Sequence, residues 1–482
     1  MGSLVAGVDT STQATKVLVV DSETGSVVAS GRAGHTVRGE RGARETDPRE
    51  WWEALRTALA ETGRAGEVAA LAIGGQQHGL VVLGQDREPL RPAMLWNDTR
   101  SAPQAAALAA SIGAERLADR VGSRPVASFT ATKWAWLREH EPATADATVA
   151  IRLPHDYLTE RLSGEGVTDR GDASGTAWWA TGDEAYAADI LASPLLRLDE
   201  RMLPRVLRPL DTAGQVTADA ASATGLRAGA LVGPGTGDNM GAALGLGLRA
   251  GQVAISLGTS GTAFAVSERR TCDPSGIVAG FADATGRFLP LACTLNCTLA
   301  VDRVAGLFGL DRDDVAPSGE VVALPWFDGE RTPDLPNAAG TLAGLRHDTR
   351  PQQVLMAAYE GAIASLLDAV DAIAEQAGGL DETAPLVVLG GGARGRTWID
   401  VVRRLSGRAL LIPDAEELVA IGAAVQAAAI LGGEDPEVVA ARWGTSAGTL
   451  LEPVPRDDER LARIGALRNA VIETPALAGS AR

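Results

Sequence analysis

Two α/β domains are predicted from this sequence by three observations: a length of 482 residues, strand-like runs alternating with helix-like runs in both halves, and a hydroxyl-bearing hairpin that opens the chain and recurs at its middle. A chain of this length exceeds what one hydrophobic core usually organises. The alternation runs from Val68 to Ile73 and then Ala105 to Ala110 in the first half, and from Leu386 to Leu389 and then Trp398 to Leu405 in the second. Such alternation is the mark of α/β architecture. The repeated hairpin suggests an internal duplication with its boundary near Gly247 to Gly251, dividing the chain into domains 1–248 and 249–482.

The first hairpin has an apolar segment from Leu4 to Asp9, a turn at Thr10-Ser11-Thr12-Gln13, and a second apolar segment from Lys16 to Val20. Converging N–H and O–H donors in such a turn suit a phosphate, and the Asp9 carboxylate beside them suits Mg²⁺. An ordinary polar turn has the same composition. The recurrence at Val253 to Leu257, Gly258-Thr259-Ser260-Gly261 and Thr262 to Val266 favours the phosphate reading, because two facing turns can grip both ends of a triphosphate.

Next in order, Gly75-Gln76-Gln77-His78-Gly79 follows a strand, and Trp96-Asn97-Asp98-Thr99-Arg100 lies downstream. Amide, imidazole and indole groups in loops suit hydrogen bonding and stacking to a polyhydroxylated ligand. The loop Gly233 to Asp238-Asn239 then enters a small-residue helix. Asp238 is expected at its N-cap, ionised there by the orphan N–H groups and the helix dipole. Beside this capping role stands a second reading, a general base held against a substrate hydroxyl. A weak base suffices for phosphoryl transfer, where position outweighs basicity.

The turn Gly390-Gly391-Gly392-Ala393-Arg394-Gly395 satisfies a dinucleotide-binding spacing, with Asp414 downstream. A dehydrogenase leaves both hairpins and the Asp238 loop unexplained, whereas a kinase uses this turn as an adenosine platform. Walker-type chemistry is excluded because the only lysines, Lys16 and Lys133, stand outside a Gly-Lys-Ser/Thr context. In a chain that otherwise uses arginine, both lysines draw attention.

Composition narrows the function classes. With 45% hydrophobic and 22% charged residues the balance is that of a globular protein. A formal charge of −17 and the absence of a basic block argue against a nucleic-acid partner. No stretch of 18 unbroken apolar residues suggests a membrane span, and Met1 leads directly into Leu4 to Val8, so the cytoplasm is the expected compartment. Three cysteines, Cys272, Cys293 and Cys297, fit a reducing compartment, with core packing preferred to a metal site for the latter two.

Taken in order, these motifs resemble the FGGY carbohydrate kinases. Ser128 to His140 resembles one family signature, and Gly340 to Leu345 with Gln353 to Glu360 the other. Further matches at Leu95 to Asp98, Leu153 to Leu158, Asp172 to Thr176, Gly237 to Asn239, Ser256 to Gly261 and Gly329 to Pro333 are similar to the D-xylulose kinases of that family. The resemblance implies two ribonuclease H-like domains, of the actin, hexokinase and Hsp70 superfamily, flanking a catalytic cleft. It implies a sugar substrate held by Gln77, His78, Trp96 and Asn239, with Asp238 accepting the proton of the C5 hydroxyl. ATP would meet Thr12, Gln13, Lys16, Gly258 and Thr259 with its phosphates and Gly391, Gly392 and Ala393 with its adenosine, and Asp9 with Asp238 would hold Mg²⁺. The resemblance also admits a homodimer, for which no stretch marks an interface. Gln77 and His155 depart from the pattern, Met and Lys being frequent there, so another pentulose or a polyol stands as the alternative acceptor, and a non-catalytic sugar sensor as a lesser one.

Overall fold

The computed structural model describes residues 2–474. Its first sheet is built around the strand Leu4–Thr10, buried along nearly its whole length, which pairs antiparallel with Ala14–Asp21 and parallel with Val68–Gly75. Across the sheet the order is Leu231–Val232, Val68–Gly75, Leu4–Thr10, Ala14–Asp21 and Val27–Gly34, with the short strand Thr236–Gly237 also on Val68–Gly75. The second sheet is built the same way. Val253–Leu257 pairs antiparallel with Gly261–Ala265 and parallel with Leu386–Leu389, in the order Val278–Ala282, Phe288–Thr294, Gly261–Ala265, Val253–Leu257, Leu386–Leu389, Leu410–Pro413 and Gly448–Leu451. In both, a tight turn supplies the antiparallel neighbour and a crossover supplies the parallel one, as parallel pairing demands. The predicted α/β class and the repeated hairpin are therefore both present.

Helices follow the sequence signals. Pro48–Thr62 is capped by the Asp47 side chain and ends at Gly63 in the left-handed region, the arrangement that satisfies orphan groups at both termini. Pro351–Ala377 is long and apolar enough to cross a membrane, yet 78% of its apolar window is buried inside the protein. It is the core helix of the second sheet, packing on Gly261–Ala265 and Phe288–Thr294.

The two halves interlock through glycine. Helix Leu418–Gly432, from late in the chain, lies between the strand Leu4–Thr10 and the helix Asp238–Gly245. A Cβ at Gly7 would stand 1.8 Å from the Ala420 carbonyl oxygen, one at Gly245 2.0 Å from that of Leu418, and one at Gly422 2.0 Å from that of Gly241. These backbones touch because no side chain separates them. A boundary drawn by chain order alone thus leaves out this return of the second half onto the first sheet. Gly422→Val is expected to destabilise the fold by about 3 kcal/mol or more, since rigid backbone cannot yield to the added atoms, and a lowered Tm with intact secondary structure in the second sheet would show it.

Candidate active site

Three parallel strands of the first sheet end at one edge, with Thr10 opposite Gly75, Thr236 opposite Gly74 and Gly237 opposite Gly75. The loops leaving such carboxyl ends converge, which is where α/β sheets bind ligands. They bring Asp9, Gln77, His78, Asp238 and Asn239 together. The approach is close: a Cβ on Gly237 would lie 2.7 Å from Gln77 Cγ.

Within this edge the polar groups form a chain. Asn239 Nδ2 donates to Gln77 Oε1 at 2.7 Å and to Asp238 Oδ1 at 3.0 Å, and the Asn239 backbone N–H donates to the same Asp238 oxygen at 2.8 Å. Gln77 Nε2 is buried and has no partner among the described residues, so its donors are available to a ligand. Gly237, not Asp238, holds the cap position of the helix, and Asp238 is its first helical residue. Nor is Asp238 held in the ordinary ionised range. Burial, and next the charge of Asp172, push its pKa up to about 7 against the Asn239 hydrogen bonds, because removal from water outweighs the helix terminus.

His78 adopts a positive φ of 65°, and its backbone N–H donates to Asp172 Oδ1 at 3.1 Å. Its ring stacks on Phe129 (centroids 5.2 Å apart, 10° between planes) and meets Phe281 at 5.2 Å from the other half of the chain. Gly175 must be glycine here, since a Cβ would reach 1.9 Å from His78 Cε1. Burial, aided by the charges of Lys133 and Arg331, drives the His78 pKa well below its usual value. A neutral imidazole is a hydrogen-bonding group rather than a cation. Beneath it the buried Lys133 ammonium donates to the His78 carbonyl at 3.2 Å and to that of Ser128. Burial brings the Lys133 pKa down to about 7 against the pull of Asp98 and Asp172.

Asp9 lies at the same edge, buried, with Oδ1 unpartnered. Burial raises its pKa to about 7; Lys16 opposes this, while Asp238 and Glu417 add to it. Two carboxylates that each resist a lone negative charge fit a divalent cation shared with phosphate oxygens. Lys16 Nζ donates to Glu417 Oε2 at 2.5 Å, so the helix returning from the second half carries the countercharge of the first turn. Trp96 Nε1 donates to Thr12 Oγ1 at 3.2 Å, joining the indole loop to that turn, while Gln13 is exposed beside it.

A cavity of about 550 Å³ opens over Asp238 and is lined by Gln77, His78, Trp96, Asn239 and Phe129 from the first half and by Phe281, Cys293 and Arg331 from the second. The second hairpin turn and the glycine turn form a separate group. Ser256 is level with Leu389 across the parallel pair, Gly390 adopts a φ of 86°, and a Cβ on Gly392 would lie 2.6 Å from Leu257 Cβ. Thr298 clamps the turn, its N–H and Oγ1 donating to the Gly258 carbonyl at 3.0 and 2.8 Å. Thr259 and Gly391 are exposed, and Ala393 is half-buried on the short 3₁₀ turn Gly391–Arg394.

Several contributors carried no assigned role in the sequence. Phe129, Asp172 and Arg331 lay inside family signatures without a task, and nothing local marked Phe281 or Glu417. Of the cysteines, Cys297 is buried as expected, but Cys293, near the end of the strand Phe288–Thr294, lines the cavity. His155 lies below the site with Nε2 at 3.2 Å from Asp169 Oδ1, 3.4 Å from Asp156 Oδ1 and 3.6 Å from Asp172 Oδ2. Burial works against its charge, but the carboxylates prevail and raise its pKa to about 9.

Comparison with known proteins places this geometry. The N-terminal domain of the FGGY family of carbohydrate kinases matches residues 4–245 and its C-terminal domain residues 253–431. A xylulose kinase of Streptomyces coelicolor is 60% identical over 474 residues, covering 97% of each chain. The crystal structure of a xylulose kinase from Bifidobacterium adolescentis superposes with a TM-score of 0.85 at 38% identity, over 97% of this chain and 99% of that one. That of a xylulose kinase from Rhodospirillum rubrum gives 0.89 at 25% identity, over 98% and 99%. With both family domains in order and a 60% identical relative along nearly its whole length, the chain belongs to the FGGY family of carbohydrate kinases, with their two-domain actin- and hexokinase-like fold.

Proposed function

We propose that this protein transfers the γ-phosphoryl group of ATP to the C5 hydroxyl of D-xylulose, giving D-xylulose 5-phosphate and ADP. The observation that carries the proposal is Asp238, raised to about 7, on the floor of a cavity it shares with Gln77, His78 and Asn239. Asn239 holds one carboxylate oxygen of Asp238, leaving the other to accept the proton of the sugar hydroxyl. As the sugar oxygen forms its bond to the γ-phosphorus, the bond to the bridging oxygen breaks, and the negative charge departs on ADP. Gln77 Nε2 and the neutral His78 ring fix the remaining sugar oxygens, and Phe129 and Phe281 exclude water around the imidazole. Thr12, Gln13 and Lys16 would receive the phosphates from one side and Gly258 and Thr259 from the other, with adenosine against Gly391, Gly392 and Ala393. Asp9 would hold Mg²⁺, with Asp238 adding its negative charge beside it while its free oxygen stays open to the hydroxyl proton; the ion would supply positive charge to the phosphates. Closure of the cleft would keep solvent from replacing the sugar as nucleophile.

Mg·ATP-dependent ADP release across D-xylulose, D-ribulose, L-ribulose, L-xylulose, xylitol, glycerol and gluconate tests this reading. The expected result is a clear preference for D-xylulose. The unpartnered Gln77 amide favours one second reading, a kinase of another pentulose or polyol, and preference for such a sugar would reassign the pocket while keeping the reaction. ATP left intact with every sugar would overturn catalysis.

A further inference from the structure

Among the described residues, the cavity above Asp238 has a single cationic side chain in its wall, and it comes from the second half of the chain. Arg331 sits on the loop Gly329 to Pro333, which is held by its neighbours rather than by its own side chain. The buried Glu330 accepts from the backbone N–H of Leu295 at 2.5 Å, from that of Arg331 at 2.8 Å and from Asn296 Nδ2 at 3.1 Å. Asn296 Nδ2 also donates to the Gly329 carbonyl at 2.7 Å, and Thr332 Oγ1 to that of Cys293 at 2.8 Å. This scaffold fixes the backbone of Arg331 and leaves its guanidinium, half-buried at the cavity, with no hydrogen bond or ion pair among the described residues. Its charge reaches His78 across the cavity.

A guanidinium has five donors and no acceptor, so in a partly apolar wall beside Phe281, Leu291 and Leu295 it calls for ligand oxygens. Phosphate oxygens are one source, but none of the residues of the two hairpin turns or the glycine turn lines this cavity, apart from Thr262 just beyond the second turn. The groups that do are those fitted to a sugar. We propose that Arg331 is a sugar-recognition residue contributed by the second half of the chain, its guanidinium donating to oxygens of the acceptor sugar opposite His78, so that a correctly seated sugar bridges both halves of the cleft. The proposal rests on the reading of this cavity as the sugar site. It also gives the cleft a reason to close on the right acceptor, since a sugar lacking oxygens at that wall leaves the cation unpaired.

Arg331→Ala and Arg331→Lys in the full chain test it, with circular dichroism and Tm establishing that both fold. Sugar affinity is read without nucleotide, by tryptophan fluorescence, using the sugar of the panel that the unaltered chain turns over best, or D-xylulose if it turns over none. For Arg331→Ala the expected result is a sugar Kd and KM raised by about 10- to 100-fold, the loss of one or two charge-assisted hydrogen bonds. The expected kcat at saturating sugar stays within about threefold and the KM for ATP is unchanged, as for uniform binding. Arg331→Lys should recover part of the affinity. A fallen kcat with unchanged sugar Kd would move the guanidinium to the phosphoryl group and overturn the proposal, as would unaltered constants in both variants. Turnover of no sugar by a chain that still binds one would refute the proposed reaction but leave Arg331 to be judged on Kd. An unaltered chain that binds no sugar refutes both.

Discussion

Asp238→Asn is expected to lower kcat by about 100- to 10,000-fold, the span typical of removing a positioned general base, while the KM for the sugar changes little. The substitution keeps the shape of the site, because an amide oxygen can still accept from the Asn239 backbone N–H as Asp238 Oδ1 does at 2.8 Å. In the proposed reaction it removes the acceptor for the hydroxyl proton, an interaction made mainly in the transition state, and such a loss shows in kcat rather than in KM. The pH profile of the unaltered enzyme should agree. The base works only when deprotonated, and with Asp238 and Asp9 both raised to about 7, activity should fall as pH drops through that region and level off above it. Asp238 also feels the charge of the buried Asp172, itself raised to about 7, so the limb belongs to the carboxylate cluster rather than to Asp238 alone. Near-normal turnover by Asp238→Asn would remove this residue from proton transfer.

How much of this was legible in the sequence depends on whether the determinant was local. The two hairpins, the turn at Gly258 to Gly261 and the strand–turn–helix around Gly390 to Gly395 are dictated by turn chemistry within a few residues, and each stands where the pattern predicts. The predicted helix cores Ala105 to Ala110 and Trp398 to Leu405 lie inside helices Ala102–Ile112 and Arg396–Ser406. The helix Leu418–Gly432 is also a readable small-residue pattern, but nothing in it says that its glycine face docks on Gly7 and Gly241 rather than on its own sheet. The same gap hid Glu417, whose meaning comes only from the lysine it meets. For Asp238 the local rule pointed the wrong way. A helix terminus favours the ionised form, and only the fold reveals the burial and the neighbouring Asp172 that reverse it. Phe281 and Arg331 belong to the site for a purely tertiary reason, since the second sheet delivers them to a cavity floored by the first.

The other large effect is expected at His155, which is buried and does not line the cavity. It is the cation among Asp156, Asp169 and Asp172, all buried, and Asp172 in turn holds the His78 backbone N–H at 3.1 Å. Removing one partner of a buried ionic cluster costs about 3–5 kcal/mol, chiefly for stranding the charges left behind, so His155→Gln should lose stability on that scale. The pH dependence has a definite sign. The folded pKa of His155, about 9, exceeds the ordinary histidine value of 6.5, so its contribution is complete below about 6.5 and disappears as pH rises through about 9. The carboxylates work in the other direction: Asp156 and Asp172 are raised to about 6 and about 7, and acid relieves the fold of their charge. The stability gap between the unaltered chain and His155→Gln should therefore be widest at about pH 7, shrinking as pH rises through about 9 and as acid protonates the carboxylates. Denaturant unfolding across that range measures it. His155→Lys supplies a cation again, with the residue frequent at this position in the resembling kinases, and should recover most of the loss; equal destabilisation by Lys and Gln would mean that the imidazole matters here for its shape rather than its charge.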